Sequence, residues 1–425
     1  MKSVGVLSLG CKVNTYESEF VINELKKAGY EIKSFDDICD VYIINTCTVT
    51  NSSDSKSRKM IRQAIRRNPL ACVVAMGCFI AANPDYSEEG LDIMIGNKDK
   101  SKIVELLDEY FKNKELLKKQ YTGRLKEFED MYISSFPGRT RAFVKIQDGC
   151  DNFCSYCIIP FVRGKCRSKE EEKVLEEVKS LVENGYQEIV LTGIHTGSYG
   201  LDLDTSFAQL LRNLIEIEGL ERLRISSIEV TELNEKVLEV LKKSKILVDH
   251  LHIPLQAGSD EILKAMNRKY DLSFFFKKID EIRKIRPDIS ISTDVIVGFP
   301  GESEGLFEKT MDTCRRLKFS KIHVFPYSER KGTASSRMNN KVEQGIIKER
   351  ARKLIKLSQE LEVQYMQNFI GKEVEVLVEE CVDGYCYGHT GNYLHVKIKG
   401  EFQQNQMVKV LLEKVEYPYC TAQID

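Results

Sequence analysis

Short apolar runs separated by amphipathic stretches set the rhythm of this chain. Over the first hundred residues the runs at 4–9, 41–45, 73–76 and 92–95 read as β-strands, with helix-periodic segments between them. Strands alternating with helices argue a doubly wound parallel sheet, because a parallel connection must cross back over a face of the sheet. From about 112 to 141 the chain is rich in Lys, Glu and polar residues and is broken by Gly123 and by Pro137-Gly138, which reads as a connection with some helix. The alternation then resumes with an apolar run at 142–146, helix 170–184, strand 188–191, helix 207–218, strand 223–226, helix 233–243 and strand 250–253. A helical stretch at 272–286, strand 289–297, helix 304–317 and strand 321–325 complete six β/α units, which argue a partial parallel barrel. A long helical segment covers 344–369. Beyond Gly371, short strands at 373–378, 394–398 and 407–412, with turns at Asp383-Gly384 and Gly391-Asn392, describe a small all-β module.

Composition places these elements in an ordinary globular protein of two or three domains: 425 residues, 42% apolar and 30% charged. No stretch approaches a membrane span, and the amino end reads as a first strand rather than a signal peptide, so the cytoplasm is the expected compartment. Thiols stay reduced there, and thirteen cysteines then point to metal or catalytic use before disulfides. A net charge of −1 gives no global attraction to nucleic acid, so any such role rests on local patches. The helix after Cys47 carries Lys56, Arg58, Lys59, Arg62, Arg66 and Arg67, with Arg58, Arg62 and Arg66 stacked at four-residue intervals. Like charges so spaced repel, which a polyanion would relieve; a solvated basic face is the alternative. Beyond Gly371 five lysines face nine carboxylates, a net of −4, so a grip on RNA there depends on lysines such as Lys397 and Lys399. Tyr385, Tyr387, Tyr393 and Phe402 have rings that stack on bases or fill a core.

The chemistry gathers at Cys150, Cys154 and Cys157, spaced C-x3-C-x2-C. Three thiolates on one loop hold three corners of a cubane iron–sulfur cluster and leave the fourth iron open to a chelating small molecule with an amine and a carboxylate. The competing reading is a zinc site or unrelated buried thiols, with Cys166 as the nearest fourth ligand. Three further cysteines, Cys11, Cys47 and Cys78, each fall just past a strand of the first sheet. The carboxyl ends of parallel strands share one rim, so these three would converge as a second trio, although buried structural thiols also favour strand ends. Cys39 and Cys72 precede strands and read as structural, and Cys381, Cys386 and Cys420 stand at no ligand spacing. On the barrel, Thr192-Gly193, Ser226-Ser227 with Glu229, Gln256 with Gly258-Ser259, Gly298 with Gly301-Glu302, and Tyr327-Ser328 all follow strands on the same rim as the cluster loop. Taken singly, each is an ordinary turn.

Several stretches together resemble the radical S-adenosylmethionine (SAM) methylthiotransferase family. They are Leu9-Gly10-Cys11-Lys12-Val13-Asn14-Thr15-Tyr16-Glu17-Ser18, Asn45-Thr46-Cys47-Thr48-Val49, Gly77-Cys78 and Arg163-Gly164-Lys165-Cys166-Arg167-Ser168. Others are Thr192-Gly193-Ile194-His195-Thr196-Gly197, Arg224-Ile225-Ser226-Ser227-Ile228-Glu229, His252-Ile253-Pro254-Leu255-Gln256-Ala257-Gly258-Ser259 and Asp294-Val295-Ile296-Val297-Gly298-Phe299-Pro300-Gly301-Glu302. The resemblance implies an amino-terminal cluster-binding domain at 1–115, a linker at 116–138, a radical SAM (β/α)6 barrel at 139–368 and a TRAM β-barrel at 369–425. It implies two [4Fe–4S] clusters: one on Cys150, Cys154 and Cys157 that cleaves SAM, and one on Cys11, Cys47 and Cys78 that carries the sulfur to be methylated and inserted into a C–H bond. It also implies Tyr156 near the adenine, Gly193 near the methionyl amine, and Ser226, Glu229, Gln256 and Gly298 around the rest of SAM. Arg163 and Arg167 become candidate partners for a carboxylate of SAM or substrate.

The implied partners are tRNA and an electron donor of flavodoxin or ferredoxin type. The wording after Gly10-Cys11 resembles the branch acting on N6-threonylcarbamoyladenosine; other branches act on isopentenyladenosine in tRNA or on a ribosomal-protein aspartate. Phe79-Ile80-Ala81-Ala82 departs from the polar continuation associated with the family. A non-catalytic iron–sulfur RNA-binding protein is the alternative of another class.

Overall fold

A computed structural model describes residues 1–113, 120–121 and 127–424, so part of the connection expected at 116–138 lies outside the described residues. The amino-terminal elements are β1 (Ser3–Ser8), α1 (Lys12–Lys27), β2 (Glu31–Lys33), β3 (Val41–Thr46), α2 (Asn51–Arg67), β4 (Cys72–Gly77), α3 (Cys78–Ala82), β5 (Ile93–Ile95), α4 (Ile103–Lys112) and β6 (Gln120–Tyr121). The sheet runs β2-β1-β3-β4-β5-β6 with every pair parallel. Every residue of β3 and β4 is buried, which is why these strands read as unbroken apolar runs. The order reverses between β1 and β3, so a crevice opens outside their carboxyl ends. The short strand β2 (Glu31-Ile32-Lys33) carries too little pattern to be read from sequence.

The central elements are β7 (Arg141–Lys145), β8 (Gln147–Asp148), α5 (Ile159–Val162), β9 (Arg167–Ser168), α6 (Glu171–Glu183), β10 (Glu188–Thr192), α7 (Phe207–Leu214), β11 (Arg222–Ile225), α8 (Glu235–Lys243) and β12 (His250–His252). They continue with α9 (Asp260–Ala265), α10 (Leu272–Ile285), β13 (Ser290–Val297), α11 (Glu304–Leu317), β14 (Lys321–Pro326) and α12 (Gln344–Gln367). The six barrel strands form two parallel sheets, β7-β10-β11 and β12-β13-β14, joined by a bridge between Leu223 and Leu247. Alternate residues divide the two faces: Leu223, Ile225, Leu251 and Ile322 join the helix-side core, while Arg222, Arg224, His250, His252, Asp294 and His323 occupy the opposite, concave face. Apolar residues on the helix side drive the packing, and the interior is left charged.

A closed barrel, β15 (Glu373–Val382), β16 (Tyr385–Thr390), β17 (His395–Lys399), β18 (Met407–Glu416) and β19 (Tyr419–Gln423), ends the described chain. Two of its strands, β16 and β19, are not predicted by pattern, since Tyr385-Cys386-Tyr387-Gly388-His389-Thr390 has no aliphatic residue. Cys381 and Cys386, to which spacing assigns no role, form a disulfide between β15 and β16, contrary to the expectation of reduced thiols. The small barrel docks on the central one: Arg222 donates to the His389 carbonyl at 3.1 Å and Arg224 to that of Gly391 at 3.1 Å. No helix among the described residues is long and apolar enough to cross a membrane.

Candidate functional site

Cys11, Cys47 and Cys78 stand just beyond β1, β3 and β4 on one rim, as strand order requires. Gly10, at φ +99°, lets the chain turn there: a Cβ on it would lie 2.8 Å from Cys47 Sγ. Cys11 is the N-cap residue of α1, its Sγ donating to Asn14 Oδ1 at 3.8 Å, and Cys78 opens α3. Asn97 Nδ2 lies 3.5 Å and Arg163 Nε 3.3 Å from Cys78 Sγ, and both donate to it. Burial pushes the Cys11 and Cys47 thiols up, with Cys78 adding to the rise and Arg163 opposing it.

Behind these sulfurs lies a buried ionic network. Glu17 of α1 accepts from Arg163 at 3.0 Å, from Lys145 at 3.0 Å and from Lys100. Asp148 takes Arg163 at 3.0 Å and Lys145 at 2.8 Å. Burial alone would raise both carboxyls, but the neighbouring cations hold Glu17 and Asp148 well below the usual range. Four cations, Arg163, Lys145, Lys100 and the more distant Arg167, thus face two carboxylates across the junction of the sheet and the barrel. Arg163 also donates to Asn14 Oδ1 at 2.8 Å, so it is committed to this junction and not to a carboxylate of SAM or substrate, correcting the expectation from its place after the cluster loop. Arg167 lies buried 3.7 Å from Asp148, with Nε left without an acceptor.

The second trio lies on a loop braced at both ends. Gly149, at φ +77°, packs so tightly that a Cβ would fall 1.9 Å from the Lys165 carbonyl oxygen, and Cys150 N donates to Gly164 O at 3.0 Å. Cys157 N donates to Cys154 O at 3.0 Å, a turn that brings these two thiols round. Arg268 Nη1 donates to Cys154 Sγ at 3.3 Å, and its other arm holds Glu229. Burial pushes Cys157 up to about 12, partly offset by the Ile159 amide, with Cys154 and Cys150 adding to the rise.

Among the described residues, His252, Asp294 and His323 gather three ligand atoms all within 4.8 Å of one another, as a single metal ion needs, whereas neither cysteine trio gathers so closely. Within each trio the thiols interact electrostatically, as sulfurs that bind different irons of one cluster would. The residues present fit such a group at both trios.

The expected SAM contacts follow barrel strands but differ in surroundings. The Tyr156 ring meets Phe299 edge-on at 6.4 Å, and Ser226 N donates to Leu191 O at 3.0 Å. Glu229 is buried beside Cys154, where burial raises its carboxyl against the pull of Arg268. Gly193 packs on Gln147, and Gln256 takes a left-handed turn at φ 66° with its N–H on Asp294 O at 2.8 Å. Gly298 donates its N–H to Glu302 at 2.7 Å and packs against Ile347 of α12. Sequence reasoning passed over Gln147, His195 and Arg268. His195 joins Glu232 at 2.6 Å and is held protonated, burial opposing and contacts with Cys150, Cys166 and Glu232 prevailing. Arg268 lies 114 residues from Cys154, and no spacing signals it.

The basic face of α2 forms a groove lined by Ser55, Arg58, Lys59, Arg62, Gln63 and Arg66, with Arg62 paired to Glu88 at 2.8 Å. Tyr393 stays 36% exposed while packing on the central barrel: Arg141 donates to its hydroxyl at 3.0 Å, and Arg224 stands 4.4 Å from its ring.

A family model described as the radical SAM superfamily matches residues 144–314, and one described as uncharacterized protein family UPF0004 matches residues 3–96. The chain is 42% identical to the threonylcarbamoyladenosine tRNA methylthiotransferase MtaB of Bacillus subtilis, over 100% of this chain and 96% of that protein. It is 38% identical to the protein of that name from Aquifex aeolicus over 95% and 98% of the two chains. A tRNA-2-methylthio-N(6)-dimethylallyladenosine synthase of Desulfitobacterium hafniense is 34% identical over 97% and 95%. Among solved structures, the radical SAM methyltransferase TsrM of Kitasatospora setae, with cobalamin and a [4Fe-4S] cluster bound, shares the fold at TM-score 0.55 and 14% identity, over 76% and 74% of the chains.

Proposed function

The chain belongs to the radical SAM methylthiotransferase family, and on that premise we propose that it converts N6-threonylcarbamoyladenosine in tRNA to its 2-methylthio form in the cytoplasm. The observation that carries the reading is the gathering of Cys11, Cys47 and Cys78 at one strand-end rim, where Arg163, from the segment just after the C-x3-C-x2-C loop, reaches Cys78 and Glu17, on a chain similar over its full length to relatives bearing that name. Cys150, Cys154 and Cys157 would hold one [4Fe–4S] cluster, and Cys11, Cys47 and Cys78 a second. When bound, these clusters supply electrons for the reductive cleavage of SAM and a site for the sulfur to be transferred.

The chain's own groups do the rest. Arg268 neutralises Cys154 while holding Glu229. Arg163 and Asn97 hydrogen-bond Cys78, and the guanidinium sets a positive charge beside the sulfurs gathered at that rim. The surplus positive charge of the Glu17 network adds to the same effect. An electron donor of flavodoxin or ferredoxin type would serve the first trio, and the α2 groove would take tRNA phosphates. Nucleosides from tRNA of cells with and without the protein test the proposal. Loss of the 2-methylthio-threonylcarbamoyl nucleoside, with its unthiolated parent accumulating, is expected, and an unchanged pool refutes it.

A further inference from the structure

The concave face holds donor groups that the reading above does not use: a half-buried lysine, a buried arginine and a buried histidine that burial and the neighbouring Arg224 keep uncharged. Lys12 is the first residue of α1, next to Cys11, and no acidic residue occupies the first turn of that helix. Among the described residues its ammonium has neither a hydrogen bond nor an ion pair, although Arg224, Arg141 and Tyr393 lie within electrostatic reach. Arg224, 1% exposed, spends Nε on Glu188 at 2.6 Å and Nη1 on the Gly391 carbonyl, leaving Nη2 without an acceptor. His250, 8% exposed, bonds Ser292 through Nε2 at 3.1 Å and leaves Nδ1 unpartnered. The Tyr393 ring stacks on His250 at 4.8 Å and closes this end of the barrel.

Of the nearby carboxylates, Glu379 pairs with Arg141 at 3.0 Å, and Glu188 pairs with Arg224 through Oε1 while its Oε2 stands 3.7 Å from Arg222 without a hydrogen bond. The field is positive. Burial would raise the Tyr393 phenol, yet Arg141, Lys12 and Arg224 together bring it below its ordinary value. Buried donors left without acceptors, as at Arg224 Nη2, are costly unless an acceptor completes them.

We propose that Lys12, Arg224 and His250 form an anion subsite inside the barrel that receives the carboxylate of the amino-acid side chain on the substrate adenosine. The inference rests on the function proposed above and deepens it. Threonylcarbamoyladenosine carries such a carboxylate, whereas a dimethylallyl group is uncharged and would leave these donors unsatisfied. One feature would then both admit the first and reject the second. Lys12 ties recognition to delivery, because its neighbour in the chain is a sulfur of the amino-terminal trio.

The test is equilibrium binding of anticodon stem-loop RNA to the full-length, cluster-loaded protein, using RNAs bearing threonylcarbamoyladenosine, its methyl ester or unmodified adenosine. The acid should bind roughly 10- to 100-fold tighter than the other two, the margin of a site built around a charge-assisted contact. Lys12→Gln should erase most of that margin with unmodified RNA affinity and iron content unchanged, and Lys12→Arg should restore part of it. A wild-type protein that binds ester and acid alike, or a Lys12→Gln variant that keeps the margin, overturns the subsite. Methylthiolation of the threonylcarbamoyl RNA by wild type is scored in parallel: its absence refutes the proposed function, whereas its presence with no margin refutes the subsite alone.

Discussion

Glu17→Gln isolates the charge that joins the amino-terminal sheet to the barrel. Glu17 is 1% exposed and faces Arg163, Lys145 and Lys100, so an isosteric neutral group leaves Arg163 and Lys145 sharing Asp148 and Lys100 with the Asn97 amide oxygen in place of a carboxylate. Breaking a buried pair from one side costs about 3–5 kcal/mol. At about 2.1 cal/mol/K per residue, 425 residues unfolding together carry an entropy near 0.9 kcal/mol/K, so Tm should fall by roughly 3–6 °C. Calorimetry on cluster-free protein reads this without interference from iron loss. The sign of the pH dependence is fixed by Glu17's depressed carboxyl: its contribution is present above the unfolded value of about 4.3 and is lost as pH falls through the folded value. Variant and wild type should therefore differ most near neutrality and converge in acid. Pairing the change with Arg163→Gln should give losses that fall short of additive, by about 1–3 kcal/mol. A Tm shift under about 1 °C, or strict additivity, refutes the claim that this network couples the two units.

Two further outcomes are expected. Cys154→Ala should abolish reductive cleavage of SAM to deoxyadenosine while the iron of the amino-terminal trio stays, measured by product formation and iron content; cleavage that survives removes Cys154 from the site. Reversing Arg58, Arg62 and Arg66 to Glu should weaken tRNA binding and flatten its salt dependence. Since Glu88 already neutralises Arg62, about two phosphate contacts are at stake, a change in log–log slope of roughly 2.

How much was legible in the sequence follows from the range of the forces involved. Alternating runs predicted the parallel sheet and the six barrel strands because period and burial are local properties, and they missed β2, β6, β8, β9, β16 and β19 because two or three residues, or a strand almost without aliphatic side chains, carry almost no period. The C-x3-C-x2-C spacing and the strand-end positions of Cys11, Cys47 and Cys78 were readable for the same reason: one trio is contiguous, and the other follows from strand direction. Arg163 was misread as a cofactor partner because its neighbours in sequence are the cluster loop, while its neighbours in space, Glu17 and Asn14, lie nearly 150 positions away. Arg268, His195 and the contact of Tyr393 with Arg141 belong to the same class. Sequence alone determined which residues can supply thiolates and on which rim they emerge. Tertiary structure decided which charges are paired and which are left open, because desolvation and Coulomb interaction depend on distance through space and not along the chain.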